Sequence, residues 1–166
     1  LDKLRIPLEV RQKHLYWFRC PEKRYRDSAG FPSFVFETPN GFFYGFPSID
    51  EESIKVAMHS GGDTVEDPLN IDRGLNEEDL AATRDFLARY LPGVEHDILR
   101  HVSCFYTCTP DEHFILDRYP GSEKVVFAAG LSGHGFKFTS VLGEILACLS
   151  SGAEHGLSID FLGAER

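Results

Sequence analysis

The chain has 166 residues and a formal net charge of −9, with 42% apolar and 26% charged residues, a composition typical of a globular domain. The acidic balance leaves no basic stripe to neutralise phosphates, which argues against a nucleic-acid partner, and the absence of an apolar run near ~20 residues argues against a membrane partner. The four cysteines have neither CxxC spacing nor the density of a disulfide scaffold, so we expect a reduced protein in the cytoplasm.

The first third of the chain predicts a sheet. Residues 13–20 (KHLYWFRC) are dense in aromatic and apolar side chains, as in a buried strand. The runs SFVFET and GFFYGF flank Pro39-Asn40-Gly41, where we expect Asn-Gly to supply the positive φ angles of a tight hairpin. A third strand over 54–59 (IKVAMH) ends at His59, before a Ser-Gly-Gly turn. Strands joined by short turns favour antiparallel pairing.

Two helices are predicted further along the chain. Asn76 is a candidate N-cap, followed by acidic residues that suit the helix dipole, and Pro92-Gly93 ends this helix. The second helix ends at Gly152 and repeats apolar residues at helical spacing, which indicates a core-facing side. Its apolar residues are Phe138, Val141, Leu142, Ile145, Leu146 and Leu149.

Three further strands are predicted over 98–107, 114–119 and 124–131. The last is so continuously apolar that we expect it to be buried on both faces. The predicted fold class is therefore α+β, a mainly antiparallel sheet with flanking helices and a strand–loop–helix at the C-terminal end.

Lys137 falls in the first turn of the second predicted helix, where a cation opposes the helix dipole. An exposed lysine tolerates such a position at small cost. In the functional alternative, Lys137 and the amides of the helix N-terminus share an anionic ligand. Gly130, Gly133 and Gly135 precede it and would let a flat ligand approach the backbone, although their spacing is not that of the dinucleotide fingerprint.

Cys104 is a second candidate, and the residues alone leave two explanations open. A buried cysteine is most often a small hydrophobic residue. A cysteine hydrolase would need a histidine base, and the spacing selects none among His59, His101, His113 and His134. The histidines and cysteines are too scattered to indicate a metal site, so no metal is expected.

Tyr44 and His59 lie at the ends of neighbouring predicted strands, so both would project from one sheet face into a cavity. A core aromatic is the simpler explanation for Tyr44. A histidine at a strand end beside Ser-Gly-Gly is the better site candidate. The residues alone thus indicate an α+β domain with a pocket and a helix end suited to an anion.

Two long motifs, CFYTCTPDEHFILD (104–117) and GLSGHGFKF (130–138), resemble the monomeric sarcosine oxidase and N-methyltryptophan oxidase family of FAD-dependent amine oxidases. The segments PNGFFYGFP, LPG and GHGFKFTSVLGEIL extend the resemblance along most of the chain. Fructosyl-amino-acid and pipecolate oxidases share similar motifs. The resemblance implies oxidation of a C–N bond in a secondary amino acid such as sarcosine, with FAD as cofactor, oxygen as acceptor and hydrogen peroxide as product.

The resemblance also implies where FAD is held. Cys104 matches the cysteine that bonds through sulfur to the 8α-methyl group of the flavin ring, so the cofactor would be covalent in the full-length protein. The loop of Gly133, His134, Gly135 and Phe136 matches the segment against the pyrimidine end of the flavin.

Four residues are implied to be catalytic. Lys137 matches a lysine beside flavin N5 that helps to bind the substrate carboxylate and promotes the reaction with oxygen, and we expect it to be buried. Tyr106 matches a tyrosine of the substrate cavity, Tyr44 a sheet tyrosine over the active site, and His59 a histidine near the substrate amine. Val35 and Phe43 occupy positions that would set side-chain specificity.

Relatives begin with a Gly-x-Gly-x-x-Gly unit that holds the ADP part of FAD, and this sequence has none. The start at Leu1 likewise suggests a piece of a longer protein. We therefore assign 1–100 to the sheet and helix of a substrate domain and 101–166 to a C-terminal flavin-facing segment, with the N-terminal Rossmann-like FAD domain absent. We expect the fragment to be inactive and free of FAD.

The expected partners are an amino-acid substrate and oxygen. The full-length protein is expected to be monomeric, whereas apolar surface exposed on the fragment would favour non-native association. Two other functions stay open: a non-catalytic small-molecule-binding or interaction module with the same fold, and a cysteine-dependent hydrolase.

Overall fold

The computed structural model describes residue 4 and residues 6–165. Leu1 and residues 2, 3, 5 and 166 lie outside the described residues. The chain forms two compact units. The sheet unit is Gln12–Phe105, and the hairpin unit consists of residues 1–11 and 106–166. The assignment of 1–100 and 101–166 to a substrate domain and a flavin-facing segment stays a prediction.

A five-stranded sheet with the order β2-β3-β4-β1-β5 dominates the sheet unit. Its register is antiparallel between β1 and β4, β2 and β3, and β3 and β4. The predicted strands and their antiparallel pairing are thereby confirmed. The strands are β1 Glu9–Arg19, β2 Phe34–Thr38, β3 Gly41–Phe46, β4 Ser53–Met58 and β5 Ile98–Cys108.

The β2–β3 hairpin forms as predicted, but the explanation of its turn was wrong. Thr38 pairs with Gly41, so Pro39 and Asn40 are the two turn residues. Gly41 has a positive φ of 142°, whereas Asn40 does not have a positive φ. Because the proline ring holds φ near about −65°, Pro39 cannot begin the mirror-image turns of tight hairpins. The Thr38 hydroxyl closes the turn instead, since it donates to the Gly41 carbonyl at 2.8 Å and accepts from the Asn40 amide at 3.3 Å.

Helix α1 (Glu77–Tyr90) covers one face of this sheet, at the position predicted for it. The Asn76 side chain accepts a hydrogen bond from the Asp79 amide at 2.9 Å and so caps the helix as expected. The Phe86 ring stacks on Phe43 with 4.5 Å between centroids. The core beneath α1 contains Tyr16, Phe18, Phe43, Ile54, Val56, Leu80, Phe86 and Leu87.

In the hairpin unit, β6 (Ile115–Arg118) pairs antiparallel with β7 (Val126–Ala129), and helix α2 (Thr139–Ser151) contacts both strands. Leu142 and Ile145 of α2 are buried against this hairpin, which confirms the predicted core-facing side. The expectation that β7 is buried on both faces was wrong. Within the described residues β7 has β6 as its single strand partner, so Ala128 is exposed and Val125, just before the strand, is 51% exposed.

Helix α2 ends at Gly152, as predicted, with a φ of 76° that favours glycine. Neither α1 nor α2, nor any shorter helix in residues 6–165, has the length and apolar character needed to cross a bilayer. The mostly antiparallel sheet with two helices agrees with the predicted α+β class.

Candidate functional site

The face of the five-stranded sheet opposite α1 carries most of the candidate residues of the sheet unit. Side chains alternate along a strand, so residues directly paired with Ala57 or Lys55 share their face. Tyr44 pairs with Ala57, and both Phe46 and Trp17 pair with Lys55. We call this surface the Tyr44 face.

Tyr44 and His59 come together on the Tyr44 face, as the sequence predicted. Their rings are 6.3 Å apart between centroids and nearly perpendicular, at 81°. His59 follows β4 directly, and its backbone amide donates to the Phe42 carbonyl at 2.7 Å, which continues the pairing of β3 with β4. The phenol and the imidazole therefore lie next to each other at one end of the sheet.

Val35 and Phe43 do not share this surface, so they cannot both face a ligand bound on it, and their role in specificity stays a prediction. Val35 pairs with Tyr44, lies on the Tyr44 face and is 60% exposed. Phe43 is 1% exposed and belongs to the core under α1. The reason is the two-residue alternation of β3, which turns neighbouring side chains to opposite faces.

Lys55 is the functional candidate that the sequence analysis missed. Its ammonium nitrogen lies 4.8 Å from the ring centroid of Phe46, 5.4 Å from that of Trp17 and 5.7 Å from that of Tyr44, distances suited to cation–π attraction. Burial lowers the pKa of the Lys55 amine. The sequence did contain a signal for Lys55. It precedes His59 by four residues, and alternation along a strand puts both side chains on one face.

Cys104 also lies on the Tyr44 face. Strand alternation puts it on the same side of β5 as Arg100, whose guanidinium lies 4.5 Å from the ring centroid of Trp17. The thiol is free and half-buried. Burial raises the pKa of the Cys104 thiol, whereas the positive charges of Lys55 and Lys13 act in the opposite direction. The thiol therefore lies within the electrostatic reach of two lysines.

His101, one of the candidate bases for a hydrolase, faces away from Cys104. Its Nε2 atom is 2.9 Å from Nδ1 of His14, and its ring stacks on Tyr16 in the core under α1. Three positions separate His101 from Cys104, so alternation directs their side chains to opposite faces. Burial lowers the pKa of both imidazoles, which favours a neutral pair.

In the hairpin unit, the loop before α2 is built against Tyr106. Gly133 has a φ of 76°, and a Cβ atom there would lie 2.3–2.5 Å from three carbons of the Tyr106 ring. The Ser132 amide donates to the Thr107 carbonyl at 2.9 Å, and its hydroxyl donates to the Gly130 carbonyl at 3.0 Å. The glycine loop is thus held close to the end of β5.

His134 is fixed within the same unit. Its Nε2 atom is 3.0 Å from the Glu112 carbonyl oxygen, and its ring lies 4.8 Å from that of Phe114. His134 and Phe114 also line an apolar cavity of about 360 Å³. Gly135 packs closely on Leu131, since a Cβ atom at Gly135 would lie 2.8 Å from that side chain.

The structure corrects two expectations about Lys137. Residues Phe136–Phe138 form a 3-10 turn, and α2 begins only at Thr139, so Lys137 precedes the helix instead of lying in its first turn. Lys137 is exposed, not buried, with its ammonium 5.5 Å from the Phe138 ring centroid. No side chain caps the start of α2, and the Thr139 amide, the first of the helix, donates to the Phe136 carbonyl of the 3-10 turn.

Comparison with known proteins adds an independent line of evidence. The model of the family described as "FAD dependent oxidoreductase" matches residues 1–149. Monomeric sarcosine oxidase of Bacillus sp. (strain NS-129) is 43% identical over 157 residues, which are 93% of this chain and 41% of that relative. N-methyl-L-tryptophan oxidase of Salmonella typhi is 39% identical over 149 residues, which are 89% of this chain and 39% of that relative. The chain therefore spans about two fifths of the length of these relatives.

Solved structures share the fold at lower identity. The open form of NikD, an unusual amino acid oxidase essential for nikkomycin biosynthesis, has a TM-score of 0.75 at 21% identity. The match covers 98% of this chain and 44% of the NikD chain. Glycine oxidase from Geobacillus kaustophilus has a TM-score of 0.73 at 16% identity, over 99% of this chain and 41% of its own.

Proposed function

The chain belongs to the FAD-dependent oxidoreductase family, and from this membership we propose that it is part of an oxidase of secondary, N-methylated amino acids such as sarcosine. The proposed products are an imine, which water hydrolyses, and hydrogen peroxide. The observation that carries the proposal is the Tyr44 face, where a phenol, an imidazole, an aromatic-flanked lysine and a thiol occupy one side of one sheet.

Each unit by itself contains residues that would suit the cofactor that the family implies. Cys104 offers a half-buried thiol for covalent attachment. In the other unit, Gly133 and Gly135 have no room for a side chain, and the backbone they form precedes the uncapped start of α2. Such a loop would let the flavin ring approach the backbone closely, and the dipole of α2 would favour negative charge on it. FAD, when bound, supplies the two-electron acceptor for the C–N bond.

On the substrate side, we propose that His59 and Tyr44 orient the amine. Oxidation requires the amine lone pair, so a neutral imidazole at His59 would hold the proton that the substrate ammonium gives up. The Tyr44 ring would pack against the N-methyl group. Tyr106 is proposed to form a further part of the cavity wall, held in place by Gly133.

The two lysines differ in burial, and this suggests different roles. A half-buried ammonium acts through a lower effective dielectric than an exposed one, so Lys55 would stabilise negative charge on oxygen more strongly than Lys137. The resemblance assigns both carboxylate binding and oxygen activation to Lys137. We propose that Lys137 contributes mainly to carboxylate binding and Lys55 mainly to the oxygen reaction.

Peroxide formation by the full-length protein with a panel of N-methyl amino acids tests the activity. We expect sarcosine or a larger N-methyl amino acid to be oxidised. If no secondary amine in the panel gives peroxide while the protein contains flavin, the oxidase proposal fails, and binding of those amines without turnover would favour the non-catalytic module.

Variants of the full-length protein test the roles. Cys104→Ser should release flavin on denaturation, whereas the wild type should retain its flavin absorbance. Lys55→Met should slow oxygen consumption by the reduced protein, and Lys137→Met should mainly raise KM for the amino acid. Equal slowing of the oxygen reaction by both variants would contradict the division of roles. The chain of 166 residues alone is proposed to be inactive and free of covalent flavin.

A further inference from the structure

Lys13 on β1 is a buried cation that the proposed chemistry does not use. It is 2% exposed, and its ammonium donates hydrogen bonds to the Ser60 carbonyl at 2.8 Å and the Gly61 carbonyl at 3.1 Å. Taking an ammonium out of water is costly unless it is paired or hydrogen-bonded. Both acceptors belong to the turn that follows His59, so the buried ammonium is bonded to this short segment.

The turn is shaped around the Lys13 side chain. Gly62 has a φ of 102°, and a Cβ atom there would lie 2.5 Å from the Gln12 carbonyl oxygen and 3.0 Å from Cδ of Lys13. Only glycine permits that approach. Gly61 also has a positive φ, of 65°, but a Cβ atom on it would meet nothing within 4 Å. A side chain at Gly62 would therefore strike Lys13, whereas one at Gly61 would not, although the Gly61 carbonyl accepts from the Lys13 ammonium.

The same turn is attached to β3 on its other side. The Ser60 hydroxyl accepts a hydrogen bond from the Phe42 amide at 3.0 Å, and the Phe42 carbonyl accepts one from the His59 amide at 2.7 Å. His59 is thus the first residue of a segment whose next two carbonyls are bound by a buried ammonium.

We propose that Lys13 is a positioning residue: its ammonium holds the turn of residues 60–62 and thereby fixes the His59 imidazole beside Tyr44. The catalytic value of that position rests on the proposed oxidase function, whereas the positioning itself does not. Removing the ammonium leaves two carbonyls without their partner, and the turn must move to recover hydrogen bonds. His59 would move with it, because no residue separates it from the turn.

The test uses the full-length protein with 15N-labelled histidine, in which the His59 imidazole signal is identified by its loss in His59→Gln. Lys13→Met removes the ammonium and keeps the length of the side chain. Lys13→Arg keeps the charge and the donors. Gly62→Ala pushes the turn away from Lys13 and from the Gln12 carbonyl. Gly61→Ala is the control for a positive φ without a contact, although its φ of 65° is easier for alanine than the 102° of Gly62.

We expect Lys13→Met and Gly62→Ala to shift the His59 signal, Lys13→Arg to shift it less than Lys13→Met does, and Gly61→Ala to leave it close to the wild type. Activity with an N-methyl amino acid should fall in kcat/KM by up to about 100-fold, the scale of a displacement of about 1 Å in an active site. A role confined to stability would lower the melting temperature without moving the His59 signal.

An unchanged His59 signal in folded Lys13→Met overturns the proposal. If that variant does not fold, Gly62→Ala decides: a signal no more displaced than in Gly61→Ala also overturns it. A wild type that oxidises no amine would end the oxidase proposal, yet the His59 signal would still report whether Lys13 positions the imidazole.

Discussion

Replacing Gly133 by alanine should destabilise the protein and displace Tyr106. Gly133 has a φ of 76°, where a side chain costs about 1–2 kcal/mol. The new Cβ atom would also lie 2.3, 2.4 and 2.5 Å from Cε2, Cδ2 and Cζ of Tyr106. Carbon atoms in contact prefer about 3.5–4.0 Å, so the ring must withdraw by about 1 Å or more.

The two costs can be separated by a matched variant. Overpacking of this kind costs about 1–3 kcal/mol, so Gly133→Ala should lose about 2–5 kcal/mol of unfolding free energy in total. Gly121 has a φ of 82°, and a Cβ atom added there would meet nothing within 4 Å, so Gly121→Ala should lose only the backbone part, about 1–2 kcal/mol. The difference between the variants is the cost of the contact with Tyr106.

Urea unfolding of the purified variants measures these free energies, and the single variant Tyr106→Ala with the double variant Gly133→Ala/Tyr106→Ala completes the cycle. If the Tyr106 ring causes the extra loss, its removal should relieve the overlap and give a coupling of about 1–3 kcal/mol. Equal losses for Gly133→Ala and Gly121→Ala, together with no coupling to Tyr106, would refute the close packing of the glycine loop on this tyrosine.

Three further changes have expected outcomes. Asn76→Ala should cost about 1 kcal/mol in urea unfolding, because the Asp79 amide loses its cap. Gly143→Ala, inside α2 with open space around a Cβ atom, should stabilise by about 0.5–1 kcal/mol; no gain would contradict the helix assignment. The pKa values of His14 and His101 are lowered below 6.5 by burial, so just below that pH the unfolded chain binds more protons and stability falls as pH falls. His101→Asn should flatten this dependence of the unfolding free energy on pH. An unchanged slope would contradict the buried pair of His14 and His101. At lower pH, the raised pKa of buried Asp79 acts in the opposite sense.

Local sequence signals predicted the elements well because each depends on a few neighbouring residues. An N-cap and a proline-glycine stop delimit α1, and apolar spacing with a terminal glycine delimits α2. The turn of the β2–β3 hairpin shows the limit of such signals. Asn-Gly favours a mirror-image turn, but Pro39 one position earlier excludes it and shifts the turn by one residue.

The site was harder to predict because it depends on which strands are neighbours. In the sequence, Lys55 is a polar residue in an apolar strand. In the structure, β4 lies between β1 and β3, and this order of strands brings Trp17 and Phe46 beside Lys55. The pairing of His14 with His101 likewise joins residues from β1 and β5. Long-range pairing of this kind cannot be deduced from local spacing. That Val35 and Phe43 lie on opposite faces follows from alternation along each strand together with the register between the strands.

The register of β3 and β4 couples the core to the proposed site. A slip of one residue would turn Phe43 out of the core and bring Tyr44 beneath α1. That slip of β3 leaves Lys55 in place, whereas a slip of β4 by one residue would move Lys55 from its aromatic surroundings into an apolar layer, at the cost of burying an unpaired charge. Phe43 and Phe86 stack in the core at 4.5 Å and oppose that slip. Core residues thus hold Tyr44, Lys55 and His59 on one surface, and we expect core substitutions that loosen this register to impair the proposed activity before they unfold the protein.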